Sequence, residues 1–139
     1  MLIGSFSHSV DPKGRIIFPV KFREEIGAAF YIVRWRDGCL SAFSEEEFLN
    51  VCTKLKAKET SIATDLMRKL SESACEVEPD KQGRILIDGV LRESAGISRE
   101  VTLIGMMNRV EIWDKERWQA RSRQIDSDKF DELMRELDM

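Results

Sequence analysis

Along the chain, apolar positions fall in short groups whose spacing switches between the period of a strand and that of a helix. Asp11-Pro12-Lys13-Gly14 has the residue order of a type I turn, and Arg15-Ile16-Ile17-Phe18 predicts a short strand that Pro19 ends. A helix of one or two turns is expected from near Pro19 to Gly27, a C-terminal stop. Asp37-Gly38 then sits between apolar Tyr-Ile-Val-Arg-Trp and alternating Cys-Leu-Ser-Ala-Phe, a strong hairpin signal. Ser44-Glu-Glu-Glu47 has the capping-box order that opens a helix. Phe48, Cys52 and Leu55 share one helical face, and Ile62, Leu66 and Leu70 share another, so residues 44–75 predict two helices. A last amphipathic helix carries Phe130, Leu133, Met134 and Leu137 on one side.

The pattern occurs twice. Shifted by 69 residues, DPKGRIIFPVKFREEIG (11–27) falls on DKQGRILIDGVLRESAG (80–96). Asp11/Asp80, Gly14/Gly83, Arg15/Arg84, Ile16/Ile85, Arg23/Arg92, Glu24/Glu93 and Gly27/Gly96 coincide. With one residue of slippage, 31–48 lies on 101–118 and pairs Leu40 with Val110, Phe43 with Trp113 and Phe48 with Trp118. The second copy therefore predicts a strand at Arg84–Ile87, a helix from near Asp88 to Gly96, a hairpin turning at Asn108-Arg109 and a helix capped by Asp114. A unit this small cannot bury its sheet alone, so the halves are expected to interlock around one core as a pseudo-dimer. The expected division is 1–48 (first repeat), 49–75 (connecting helices), 76–120 (second repeat) and 121–139 (acidic helix), intertwined as one domain.

Composition narrows the possibilities. The chain has 139 residues, enough for one domain with a real core, and no apolar run approaches membrane-spanning length. The opening residues lack the basic flank and long apolar core of a signal peptide, so a cytoplasmic location is expected. Cys39, Cys52 and Cys75 are odd in number and widely spaced, and His8 is the one histidine; buried free thiols are expected rather than disulfides or a metal site. The net charge is −3, but residues 126–139 hold six acids against two bases and carry −4 of it, leaving the remainder at +1. Residues 8–37 hold six bases against four acids, a local basic bias.

Enzyme chemistry finds few candidates. One histidine and one tyrosine offer little for general-base work, no serine or cysteine sits in a nucleophile elbow, and Gly14 and Gly83 belong to no phosphate-cradling fingerprint. The carboxylates at 45–47 and 131–132 fit solvated helix faces. Trp35, Trp113 and Trp118 fall where core packing or a subunit contact is expected. What remains is the repeated D-x-x-G-R. Turn geometry accounts for Asp11, Gly14, Asp80 and Gly83 as loop-orienting residues, but not for Arg15 and Arg84. Two readings of those arginines stay open: an Asp–Arg ion pair that braces each turn, or a guanidinium held at a strand mouth for phosphate or guanine.

The segments HSVDPKGRIIFPVKFRE (8–24), DGCLSAFSEEEF (37–48), EVEPDKQGRILI (76–87) and VEIWDKERW (110–118) resemble the MraZ family, of the MraZ/AbrB-like group of bacterial DNA-binding proteins. Both D-x-x-x-R motifs fall at the family's positions, and the match covers the chain to about residue 120. Asp88 stands where the family usually has proline, and the acidic tail after residue 125 lies outside the signature. The resemblance implies an α+β fold: a duplicated swapped-hairpin β-barrel of two pseudo-symmetric halves with flanking helices. It implies a nucleoid-associated transcriptional regulator acting on the promoter of the division and cell-wall gene cluster, with subunits in rings, octamers or dodecamers. It assigns DNA contact to Arg15 and Arg84, with Lys13 and Lys81 as neighbouring bases. No cofactor, metal, membrane, small-molecule substrate or catalytic residue is implied. The competing expectation is an antitoxin-like protein-interaction module whose acidic helical tail binds a basic partner.

Overall fold

The first strand of each half pairs outside its own half. In the computed structural model, which describes residues 1–139, β1 (Ser5–Ser9) lies antiparallel to β7 (Glu100–Gly105), Phe6 opposite Leu103. The matching strand β5 (Cys75–Val77) lies against β3 (Phe30–Arg34) of the first half. The hairpins β3–β4 (β4, Leu40–Ser44) and β7–β8 (β8, Val110–Asp114) meet through β4 and β8, giving the order β1-β7-β8-β4-β3-β5. The short strands β2 (Arg15–Ile17) and β6 (Arg84–Leu86) pair only with each other.

Nineteen buried residues form one core drawn from both halves. Phe18, Phe22 and Phe30 of the first half cluster in it with Ile85, Ile87 and Leu91 of the second. The architecture is α+β, of antiparallel sheets and helices. The expected barrel does not close: β1 and β5 are the free edges of the large sheet, and β2–β6 is a separate ribbon. Three-residue strands, stopped by the helices that begin just after Pro19 and Asp88, are too short to bond each other and the two edges as well.

Local chemistry sets the helix starts. Side-chain oxygens of Ser44, Thr60, Asp88, Asp114 and Asp126 accept from backbone N–H groups at the starts of α2 (Glu45–Lys58), α3 (Ser61–Ser73), α4 (Gly89–Ser94), α5 (Lys115–Arg123) and α6 (Ser127–Glu136). Pro19 starts α1 (Val20–Ile26) with no such bond. Asp88, the departure from the family's proline, keeps the corner extended and caps α4 through a 3.0 Å bond from Leu91 N. Its second oxygen accepts from the Cys75 thiol at 2.7 Å, and burial first, then this bond, push that thiol up to about 11.

The first hairpin turns at Asp37-Gly38 as expected, both at positive φ. The second turns one residue earlier than expected. Met106 N bonds Arg109 O, so Met107 and Asn108 form the tip, and Met107 takes φ 68°. Leu2 holds Met107 there by backbone bonds in both directions, a long-range contact that compensates for the missing glycine. Strands β1 and β5 have no counterpart in the pattern reading, because β1 is mostly serine and β5 is three residues long. All three cysteines are free, but only Cys39 is buried; Cys52 and Cys75 are half-buried. No helix is long and apolar enough to cross a membrane.

Candidate nucleic-acid interface

The two D-x-x-G-R loops have the same internal wiring. Asp11 Oδ1 accepts from Lys13 N at 3.0 Å and Arg15 N at 2.8 Å, while Oδ2 accepts from Arg15 Nε at 2.7 Å. Asp80 repeats this with Gln82 N, Arg84 N and Arg84 Nε, each at 2.9 Å. The turns close through Gly14 N to Asp11 O and Gly83 N to Asp80 O, both 2.9 Å. Backbone bonds from Arg15 and Arg84, as the leading cause, hold the Asp11 and Asp80 carboxyls below the ordinary aspartate value of 3.8. A lowered folded-state value means the loops gain from ionisation above the unfolded value and lose that gain as pH falls through the folded one. Carboxyl carbon NMR titration is therefore expected to place both midpoints below 3.8 and loosen both loops only below them. Midpoints at or above that value would contradict the wiring.

The ion-pair reading of the arginines thus describes half of each guanidinium. Nε is tied to the aspartate, and the two terminal nitrogens form no bond within the protein. The same contact fixes the fork's direction.

Pairing of β2 with β6 then brings the two loops together. Arg15 lies opposite Leu86 and Ile17 opposite Arg84, so the arginines sit diagonally, about 7–8 Å apart by strand geometry. Ile16 and Ile85 turn into the core, leaving Arg15, Arg84, Ile17 and Leu86 on the outer face of the ribbon. Each loop also bonds the strand end of the other half: Phe18 N to Gly83 O at 2.8 Å, and Ile87 N to Gly14 O at 3.1 Å. Lys13 and Lys81 are exposed on the loops; Gln82, not Lys81, occupies the place equivalent to Lys13.

Arg23 and Arg92 received no role from the sequence, although their coincidence in the repeat was a signal for one. Arg23 Nε donates to Phe18 O and Arg92 Nε to Ile87 O, both at 2.9 Å, and each side chain lies across the other half's loop. A Cβ on Gly14 would come within 2.9 Å of Arg92 Cζ, and one on Gly83 within 2.8 Å of Arg23 Cζ. The glycines therefore serve twice: both have φ above +80° or at it, and both leave room for an arginine from the opposite half. Four guanidinium groups gather around one two-stranded ribbon. Such an arrangement can engage closely spaced phosphates, or guanine edges through the planar fork.

The tryptophans take packing roles. Trp113 is buried against Trp118, its Nε1 donating to Glu111, and Trp35 packs on Phe43 beneath the Arg109 guanidinium. His8 is half-buried on β1.

Comparison with known proteins agrees with the duplicated layout. The sequence model of the family described as "MraZ protein, putative antitoxin-like" matches twice, over residues 1–72 and 70–138. The second match takes in the acidic tail that lay outside the motif resemblance. A protein named Transcriptional regulator MraZ from Thermoanaerobacter sp. is 44% identical over 140 residues, covering 99% of this chain and 97% of its own. Its namesake from Caldicellulosiruptor bescii is 44% identical with 99% of both covered, and that from Limosilactobacillus reuteri is 40% identical with 100% and 99% covered. With two family matches spanning nearly every residue and relatives of this identity along the whole length, the chain belongs to the MraZ family.

Proposed function

We propose that this protein is a sequence-specific DNA-binding transcriptional regulator, not an enzyme, that reads DNA through its paired D-x-x-x-R loops. The observation that carries this reading is the joining of both loops on one ribbon, with the terminal nitrogens of Arg15 and Arg84 unused by the protein. Arg15 and Arg84 supply the base or phosphate forks, Lys13 and Lys81 supplementary charge, and Asp11, Gly14, Asp80 and Gly83 the loop shape. The names carried by the relatives support regulation of transcription. We take the halves 1–48 and 76–120 as copies of a swapped-hairpin unit joined by 49–75, and the exchange of β1 and β5 supports this.

The target in this proposal is the promoter of the division and cell-wall gene cluster, and the working form is a ring of identical subunits, nucleoid-associated in the cytoplasm. Phosphate neutralisation drives most DNA affinity, and a chain of net charge −3 has little long-range attraction of its own. A ring that presents many loops on one rim makes weak contacts add through effective concentration. Head-to-tail subunits repeat by rotation without local two-fold axes, which suits short direct repeats rather than palindromes.

A gel-shift with DNA from upstream of the protein's own gene tests this. Wild type is expected to bind that DNA far more tightly than a scrambled duplex, with affinity falling steeply as salt rises. Equal binding to both would remove the sequence-specific claim. The protein-interaction reading is favoured by one observation, the uncovered acidic helix α6.

A further inference from the structure

Helix α6 buries no residue against the rest of its own chain. It occupies the place in the second half that α3 occupies in the first, following the second hairpin and a capped helix. Helix α3 folds back on the sheet and buries Ala63 and Leu70; α6 buries none of its residues. Phe130, Met134 and Leu137 are 55%, 39% and 70% exposed on one face. A ten-residue helix in water draws most of its stability from packing such a face. Helical spacing places Asp131 on one flank of that face and Glu136 on the other.

The complementary surface lies mainly on the first half. A groove of about 740 Å³ runs between α2, α3 and the tips of the two hairpins. Its floor is Trp35, Phe43, Val51, Leu55, Leu66 and Leu70. Arg34, Arg36, Lys54 and Lys69 rim it, Lys69 also bonding Glu72 at 3.0 Å, while Arg109 lies over Trp35 paired with Glu111; no carboxylate lines it. None of the residues of α6 lines it either.

We propose that the α2–α3 groove of one protomer receives helix α6 of a second copy of this chain, Phe130 and Met134 entering the apolar floor while Asp131 and Glu136 face the basic rim. The segment from Asp126 onward carries −4, and the groove's charged lining residues are all cations, so apolar and electrostatic matching favour the same occupant. The donor and acceptor are different surfaces of the chain, so the contact is head-to-tail. Each protomer uses both surfaces once, and the chain of contacts closes into a ring or runs on. The inference rests on the homo-oligomer reading above and supplies its interface.

Charge reversal in two separate chains tests it. Lys54→Glu with Lys69→Glu puts carboxylates on the helical rim of the groove; Asp131→Lys with Glu136→Lys puts cations on both flanks of the helix face. All four side chains are exposed, so folding is retained and is checked by circular dichroism. In light scattering, wild type is expected to be an assembly and each variant alone a single chain. An equimolar mixture is expected to regain the wild-type mass, because the substituted groove of one chain then meets the substituted helix of the other, and the native groove meets the native helix. A wild-type protein that is itself a single chain would overturn the homo-oligomer reading along with the contact. Variants that assemble like wild type would overturn the contact alone. So would variants that stay single chains when mixed.

Discussion

Arg15→Ala combined with Arg84→Ala is expected to leave a folded protein whose affinity for its upstream DNA falls by more than about a hundredfold. One well-placed arginine fork on a guanine contributes about 1–3 kcal/mol of discrimination, and each protomer loses two. An assembly multiplies the loss. The fold survives because the loops are held mainly through the backbone: Asp11 keeps its bonds from the N–H groups of residues 13 and 15, and Asp80 keeps those from 82 and 84. The ion pairs removed are partly exposed, a class worth about 0–1 kcal/mol each. Arg15→Lys with Arg84→Lys separates charge from geometry. Lysine retains the attraction to phosphate but lacks the planar fork, so it is expected to keep non-specific binding while losing preference for the target sequence. Gel-shift titration against target and scrambled duplexes reads both effects. If the double alanine variant binds its target as wild type does, Arg15 and Arg84 only brace their turns and the proposed DNA site is wrong.

The largest stability effect is expected from Phe18→Ala, at about 3–5 kcal/mol, the range for removing a buried phenylalanine. Phe18 is fully buried, its ring 4.5 Å from that of Phe30 and 6.0 Å from that of Phe22. A domain's total stability is about 5–15 kcal/mol, so this one truncation removes a large fraction of it. Its position adds a functional consequence. Phe18 N donates to Gly83 O and Phe18 O accepts from Arg23, so the residue ties the first strand end to the second loop. Urea unfolding followed by tryptophan fluorescence should show the lowered midpoint. A midpoint shift equivalent to less than about 1 kcal/mol would mean that the aromatic cluster is not the anchor of the shared core.

The loops were legible because their chemistry is local. An aspartate, a glycine and an arginine within five positions specify the turn and its ion pair, and the repeat isolates that trio from diverged neighbours. Caps at Ser44 and Asp114 and the turn at Asp37-Gly38 were legible for the same reason, since each bond spans three or four residues. The turn at Met107-Asn108 was misplaced because its geometry is fixed by Leu2, more than a hundred positions away. Strands β1 and β5 were invisible to periodicity, since what makes them strands is the hairpin each one lies against.

The same division applies to the candidate site. Sequence alone determined two loops that share Asp, Gly and Arg at matching positions, each with an arginine its turn does not require, and a resemblance to a family in which such loops recur. It could not say that the loops meet, because the β2–β6 pairing joins residues 67 to 71 positions apart, at a distance where side-chain pattern carries no register. Folding made that decision. Closing one core around both halves brought Arg15 beside Arg84 and laid Arg23 and Arg92 over the glycines of the opposite loops. Burying Ile16 and Ile85 in that core turned the remaining side chains of the ribbon outward, which is the physical reason two separate turns became one surface.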